Sequence, residues 1–217
     1  MRRSAPVRFG SLAARPPHTE PGQRIGLLGG SFNPAHAGHR GISQIALRRL
    51  GLDRIWWVVT PGNPLKSRGE LLGLAERVVL AGIVADDRRI LITDFEKGLP
   101  SSFTVATLQH LRLRRPGVRF VWIMGADGLT QFHRWQHWRQ IFQLMPIAVV
   151  DRPGWRLKAM ASPAARAFAG QRLPEARAMS LARRQPPCWT LLSGPLMAIS
   201  STEIRARQHS GSAARRR

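Results

Sequence analysis

Two histidines near the N-terminus lie in a stretch whose composition suits the binding of an anion. The stretch reads Gly29-Gly30-Ser31-Phe32-Asn33-Pro34-Ala35-His36-Ala37-Gly38-His39. The paired glycines allow the backbone to turn sharply and approach a ligand, and a helix predicted from Gly38 offers its amides and positive end. His36 and His39 lie three residues apart, so each can donate a hydrogen bond to one phosphate group. Two other interpretations compete: a pair of metal ligands, with no obvious third ligand beside them, and a purely structural pair.

A second group of hydroxyl and basic residues lies near the C-terminus. It reads Ile199-Ser200-Ser201-Thr202-Glu203-Ile204-Arg205. Ser200 and Glu203 have the spacing of a capping box, which predicts the start of a short helix. Its amides, its hydroxyls and Arg205 form a second candidate anion site. Taken alone, this pattern is more typical of a capped surface helix.

The elements that position these stretches are predicted from apolar runs. Six short runs read as buried strands: 25–28, 55–60, 90–93, 118–124, 147–150 and 189–192. Helical patterns lie between them at 38–50, 71–84, 104–113 and 138–144. Strands that alternate with helices predict an α/β fold with a doubly wound parallel sheet in a single domain. Ligands bind such sheets at the carboxyl ends of the strands, so the loops after Leu28, Thr60 and Met124 are the informative ones.

The first stretch resembles the HxGH signature of the nucleotidyltransferase superfamily along its whole length, and the second resembles that superfamily's ISSTxIR element. A Gly-rich loop ending in Gly-Lys-Ser/Thr is absent from the sequence, which excludes a Walker-type NTPase. The resemblance implies a Rossmann-like fold and transfer of the adenylyl group of ATP. The catalytic residues that it implies are His36, His39, Lys66 and Arg205. The ATP-binding residues that it implies are Gly29, Gly30, Ser31, Phe32, Ser200, Ser201, Thr202 and Asp127.

The middle of the chain is similar to the nicotinate-nucleotide adenylyltransferases. The similarity is carried by the stretches 60–66, 102–108, 122–127 and 132–135. It implies that Trp135 stacks on the nicotinate ring, and that Asn33 and the helix start at Thr104 and Val105 contact the acceptor. Phe103 stands where this family has Tyr, and Ala106 where it has Asp, so both changes remove polar groups beside the expected pocket. The partners implied are ATP with Mg²⁺ and nicotinate mononucleotide; sister acceptors, nicotinamide mononucleotide and phosphopantetheine, remain open.

The formal net charge of +22 invites a nucleic-acid interpretation. Much of that charge lies in a basic leader at 1–24, an Ala- and Arg-rich excursion at 155–187 and the end of the chain, where 208–217 is a basic tail. These segments lack aromatic residues interleaved for base stacking, so specific nucleic-acid binding is not expected. The leader is predicted to be disordered, the excursion to be either one or two irregular helices or mobile, and residues 25–207 to form the transferase domain.

The number of cysteines and the length of the apolar runs indicate the compartment in which the protein works. A single cysteine, Cys188, permits no intramolecular disulfide, and no apolar run approaches the ~20 residues of a membrane span. We therefore expect a cytoplasmic enzyme that does not bind membranes. The sequence leaves its oligomeric state open. An RNA-binding protein on the same fold is the alternative from another class.

Overall fold

The computed structural model describes residues 16–62, 71–194, 201 and 204–205. Its strands are β1 (Arg24–Gly30), β2 (Arg54–Val59), β3 (Ile90–Thr93), β4 (Arg119–Gly125), β5 (Ile147–Val150) and β6 (Trp189–Leu192). Its helices are α1 (Ala37–Leu50), α2 (Leu74–Ala85), α3 (Thr104–Arg114), α4 (Ala126–Gln131), α5 (Trp138–Leu144), α6 (Arg156–Met160) and α7 (Pro163–Ala167). Short 3₁₀ helices span Phe95–Gly98, Phe132–Arg134, Ala169–Gln171 and Glu175–Arg183. Most of the predicted leader, residues 1–15, and the predicted tail lie outside the described residues.

The six strands form one parallel sheet in the order β3-β2-β1-β4-β5-β6. This confirms the doubly wound sheet predicted from the apolar runs. The order reverses between β1 and β4, which pair from Arg24 opposite Arg119 to Leu28 opposite Ile123. Ligands of such sheets bind in the crevice at this reversal, so the segments that follow β1 and β4 define the expected site.

Helices cover both faces of the sheet, and alternate residues of each strand point to opposite cores. Trp56 and Val58 of β2 join the core beneath α3, α4 and α5, whereas Trp57 and Val59 join the core beneath α1 and α2. Burial on both faces explains why the strands read as continuous apolar runs. None of the helices in the described part of the chain is long and apolar enough to cross a membrane.

The basic segment 155–187 is packed against the domain. It contains α6, α7 and two 3₁₀ helices, which are four short helical elements where the sequence suggested one or two irregular helices or a mobile segment. Its alanines bury small side chains against the core, among them Ala159, Ala164 and Ala178. Trp189 of β6 ties the segment down, because its indole Nε1 donates to the Phe168 carbonyl at 2.7 Å and its own carbonyl accepts from Leu173 N at 2.7 Å.

Candidate active site

The loop between β1 and α1 fixes both histidines through the backbone. His36 is the N-cap of α1, and its Nδ1 accepts a hydrogen bond from Gly38 N at 3.1 Å. His39, one turn into the helix, uses its Nδ1 to accept from His36 N at 3.2 Å. A nitrogen that accepts a hydrogen bond carries no proton, so in each neutral ring the proton lies on Nε2. Both imidazoles are therefore held in the tautomer that offers an Nε2–H donor.

The two rings lie together at the positive end of a long helix. Their centroids are 4.0 Å apart, and the first turn of α1 contains no acidic residue that would compete with a bound anion. Aligned peptide dipoles place partial positive charge at a helix N-terminus. His36 and His39 thus share one helix entrance, as their spacing predicts, and the binding of an anion there stays a prediction.

Phe32 supports the histidines from below. The residue is 1% exposed, and its ring stacks on Trp57 with centroids 5.0 Å apart and lies against His39 with centroids 4.7 Å apart. The resemblance assigned Phe32 to the ATP site; in the structure the whole residue is buried and does not line the pocket, so it supports the histidines through packing. Trp57 is itself anchored, because its Nε1 donates to Ser43 Oγ of α1 at 2.8 Å.

The C-terminal signature meets the histidine loop in space. Ser201 Oγ donates to the Pro34 carbonyl at 3.0 Å, and Arg205 Nη1 donates to the Asn33 carbonyl at 2.5 Å. Two stretches some 170 residues apart in the sequence are thus joined directly. Ser200 and Thr202 of the same signature, and Lys66, lie outside the described residues.

A pocket of about 370 Å³ opens beside this loop at the carboxyl ends of the strands. It brings together Gly29, Gly30, Ser31, Thr104 and Trp135 of the predicted residues. His36 and His39 are not among its lining residues. They belong to the same signature as Ser31, which does line the pocket. The other lining residues are Thr60, Gly62, Glu96, Ser102, Phe103, Trp122, Arg134 and Gln136.

Aromatic residues and a helix start shape the acceptor side of the pocket. Trp135 is half-buried and packs edge-on against Trp122, with ring centroids 6.3 Å apart, so it serves the core and the pocket together. Thr104 begins α3, whose N-cap Phe103 makes no side-chain hydrogen bond to the helix. The first amides of a helix have no acceptor within it, so this end of α3 can bind a carboxylate.

Two residues assigned to the acceptor have side chains directed elsewhere. The Val105 side chain is buried in the core, which leaves its backbone amide as the candidate contact. Asn33 is 3% exposed, and its Oδ1 accepts from Leu72 N at 3.2 Å, so its amide side chain joins two loops.

Asp127, assigned to ATP, is engaged with an arginine that the sequence did not single out. Its Oδ2 accepts from Arg152 Nη1 at 2.7 Å, and it lies in the first turn of α4, directly after β4. Arg152 follows β5, and only the strand order brings the two residues together. Neither residue lines the pocket. The ion pair lies at the carboxyl ends of β4 and β5, because each residue closely follows one of these strands.

Glu96 is the one acidic residue among the described residues that line the pocket, and no sequence pattern assigned it a role. It is 6% exposed, and Thr107 Oγ1 of α3 donates to its Oε1 at 2.6 Å. Burial raises the pKa of the Glu96 carboxyl above its ordinary value, while hydrogen bonds from Thr107 and Thr60 oppose that rise. Its position shortly after the carboxyl end of β3 was the available signal.

The described residues contain no cluster of three or more His, Cys, Asp or Glu side chains able to hold a metal ion. The metal-ligand interpretation of His36 and His39 therefore finds no third protein ligand within that part of the chain. A divalent ion that enters with ATP needs few protein ligands, because Mg²⁺ keeps waters and binds substrate phosphates.

Comparison with known proteins places this geometry in a family. A family model described as cytidylyltransferase-like matches residues 27–207. A protein of Methylorubrum extorquens named "Probable nicotinate-nucleotide adenylyltransferase" is 57% identical over 184 residues, which are 85% of this chain and 100% of that protein. A protein of the same name from Rhizobium meliloti is 53% identical over 84% of this chain and 97% of its own length.

Solved structures show the same fold. The nicotinic acid mononucleotide adenylyltransferase of Plasmodium falciparum, complexed with NaAD, superposes with a TM-score of 0.62 at 18% identity, over 85% of this chain and 83% of that chain. At that identity the likeness speaks for the fold alone, and the family rests on the sequence relatives. With both signatures in place and this degree of identity, the chain belongs to the cytidylyltransferase-like family and, within it, to the nicotinate-nucleotide adenylyltransferases.

Proposed function

We propose that the chain transfers the adenylyl group of ATP to nicotinate mononucleotide, giving nicotinate adenine dinucleotide and pyrophosphate in NAD biosynthesis. The observation that carries this proposal is the meeting of the two signatures beside the pocket, where Ser201 and Arg205 bond to the carbonyls of Pro34 and Asn33. One side of the pocket carries Gly29, Gly30 and Ser31, and the other carries Thr104 and Trp135. The two substrates can therefore meet at the switch point of the sheet.

The acceptor's phosphate is already anionic, so the reaction needs no general base. One of its oxygens attacks the α-phosphorus of ATP as the bond to the bridging oxygen of pyrophosphate breaks. Positioning and charge stabilisation are then the protein's contributions. His36 and His39 donate from Nε2 toward the phosphates, with Arg205 and Lys66 as the proposed cationic partners, and Gly29 to Phe32, Ser200 to Thr202 and Asp127 complete the ATP site.

The acceptor is recognised by its flat ring and its carboxylate. Trp135 presents an aromatic face to the nicotinate ring, and the amides of Thr104 and Val105 at the start of α3 bind the carboxylate. Asn33 contributes by holding the loop in place. Mg²⁺ bound to the ATP phosphates would neutralise the charge that builds on the leaving pyrophosphate.

The direct test is pyrophosphate release from ATP and Mg²⁺, with nicotinate mononucleotide, nicotinamide mononucleotide and phosphopantetheine offered in parallel. We expect a strong preference for the first. Turnover of another acceptor would keep the two phosphate signatures but refute the assignment of the acceptor side. If the protein adenylylates none of the acceptors but binds RNA with a steep dependence on salt concentration, the result would favour an RNA-binding protein on this fold.

The histidine assignment is tested separately with His39→Ala. Loss of a donor that acts mainly in the transition state costs about 10²–10³ in turnover, and we expect that loss in kcat. Because Nδ1 of His39 also caps the His36 amide, His39→Asn is the matched variant that keeps a polar side chain at this site. A near-normal kcat in both variants would contradict the assignment.

Removal of divalent ions by EDTA is expected to abolish turnover, and added Mg²⁺ to restore it. Binding of the acceptor alone, followed by the fluorescence of the pocket tryptophans, should survive EDTA. Acceptor binding that requires the metal would contradict a role confined to ATP.

A further inference from the structure

Arg77 is a buried cation beneath the loops that border the pocket. It lies in the first turn of α2 with 1% of its surface exposed. Its guanidinium donates to four backbone carbonyls: from Nη1 to Ser31 at 2.6 Å and to Thr60 at 2.9 Å, from Nη2 to Pro61 at 3.3 Å, and from Nε to Leu72 at 2.9 Å. One side chain thus joins the end of β1, the end of β2 and the residues that lead into α2.

The partners of this guanidinium are dipoles and not carboxylates. None of the ion pairs within the described residues includes Arg77, and burial lowers the pKa of its guanidinium. A buried cation is costly unless its hydrogen bonds are satisfied, and here carbonyl oxygens satisfy them. Carbonyl groups carry no net charge and leave its positive charge uncancelled, so Arg77 adds to the potential felt by an anion in the adjacent loops.

The hydrogen bonds also set the direction of amides that face away from Arg77. In a trans peptide the carbonyl and the following N–H point in opposite directions, and the described chain has cis bonds at Asn33-Pro34 and Pro186-Pro187 only. The hydrogen bond to the Ser31 carbonyl fixes the peptide that leads into Phe32, a residue that is 1% exposed and lies outside the pocket lining. Drawing the Pro61 carbonyl toward Arg77 turns the Gly62 N–H away from Arg77, and Gly62 lines the pocket.

Ser31, Thr60 and Gly62 all line the pocket, so these peptides lie at its wall. We infer that Arg77 is a positioning residue for adenylyl transfer: it holds the β1 and β2 loops in register, so that the Gly62 amide and the residues at the end of β1 meet the phosphates of ATP. This inference rests on the proposed function, because it names ATP as the anion. Arg77 itself touches no substrate.

The test compares Arg77→Lys with the wild type. Lysine keeps the charge, but its single ammonium lacks the planar fork that spans several carbonyls. We expect affinity for the unreactive analogue α,β-methylene-ATP, measured by calorimetry, and kcat each to fall about 10- to 100-fold, because small misplacements of reacting groups cost this much. KM for the acceptor should change less than about threefold, since Trp135 and the start of α3 are held by the opposite core.

Arg89→Lys is the matched control, because Arg89 is an exposed arginine paired with Asp87 ahead of β3. It should leave analogue affinity and kcat unchanged. Arg77→Ala separates the shape of the guanidinium from its charge: millimolar guanidinium should restore analogue binding, and methylammonium of the same charge should not. Analogue binding is measured without an acceptor, so it judges Arg77 even if nicotinate mononucleotide proves to be the wrong substrate.

Two results would overturn the inference. One is an Arg77→Lys protein that is folded by circular dichroism and binds the analogue within twofold of the wild type. The other is an Arg77→Ala protein that guanidinium and methylammonium affect equally.

Discussion

The contact between Glu96 and Thr107 predicts how stability depends on pH. Thr107 is fully buried, and its hydroxyl donates to Glu96 Oε1 at 2.6 Å across the gap between the 3₁₀ helix after β3 and α3. Thr107→Val removes the donor while keeping a branched side chain. A hydrogen bond to a charged group contributes about 1.5–3 kcal/mol, and a neutral one about 1 kcal/mol. We therefore expect the free energy of unfolding to fall by about 1.5–3 kcal/mol where Glu96 is ionised.

The sign follows from proton binding. Burial holds the pKa of Glu96 in the folded protein above its ordinary value of 4.5, so between the two values the folded state binds more protons than the unfolded state. The contribution of Glu96 to stability is then fully present below 4.5 and is lost as the pH rises through the folded pKa. Thr107→Val raises the folded pKa further because it removes a hydrogen bond to the ionised form, so the loss grows and extends to higher pH.

The assay is thermal and urea unfolding of both proteins between about pH 4, below the ordinary pKa of Glu96, and about pH 8. A loss of 1.5–3 kcal/mol corresponds to a fall in Tm of about 3–12 °C for a chain of this size. Thr107→Ser keeps the hydroxyl and is the control; it should lose only the packing of a methyl group, about 1 kcal/mol, independent of pH. In a Glu96→Gln background the pH-dependent part of the Thr107→Val effect should vanish.

The reasoning is refuted by a Thr107→Val effect that is the same at both ends of this pH range, or by one that survives intact in the Glu96→Gln background. Either result would mean that the Thr107 side chain contributes to stability through packing alone. Its hydrogen bond to ionised Glu96 would then add nothing to the free energy of unfolding.

Two further predictions concern the pocket wall. Trp135→Ala should raise KM for the acceptor about 5- to 150-fold, because aromatic stacking on a base contributes about 1–3 kcal/mol. Trp135→Phe should recover most of the affinity. An unchanged KM in Trp135→Ala would mean that Trp135 serves only the core. Gly29→Ala would place a Cβ 2.3 Å from Trp122 Cη2, so the buried indole must shift, at a cost of about 1–3 kcal/mol in unfolding free energy. Gly170→Ala, with open space at its Cβ, is the control, and equal Tm values for the two variants would argue against the close approach.

The fold was predictable because strands buried on both faces leave a plain signal. Each of the six apolar runs became a strand of the sheet; β3, β5 and β6 have the predicted ends, and the ends of β1, β2 and β4 are shifted by one or two residues. The start of α2 was harder: the helical pattern begins at Leu71, but the helix begins at Leu74 after the N-cap Gly73. Glycine there offers no side-chain cap for a pattern to detect.

The candidate site was predictable only where its residues lie close together in the sequence. The spacing of His36 and His39 anticipates their shared helix entrance. No spacing anticipates Arg152, whose partner Asp127 is 25 residues away, or Arg77, whose contact with Ser31 spans 46 residues. These contacts depend on strand order, which a pattern of apolar runs does not encode.

The buried charges also run against what composition suggests. A net charge of +22 would by itself suggest a basic surface as the anion site, yet among the described residues that line the pocket only Arg134 and Glu96 are charged. Bulk charge attracts any anion and is screened by salt, whereas directed N–H groups select a phosphate by geometry. Arg77 lies beneath the pocket wall and holds backbone groups in place, so we expect its replacement to weaken ATP binding more than that of an exposed arginine such as Arg89.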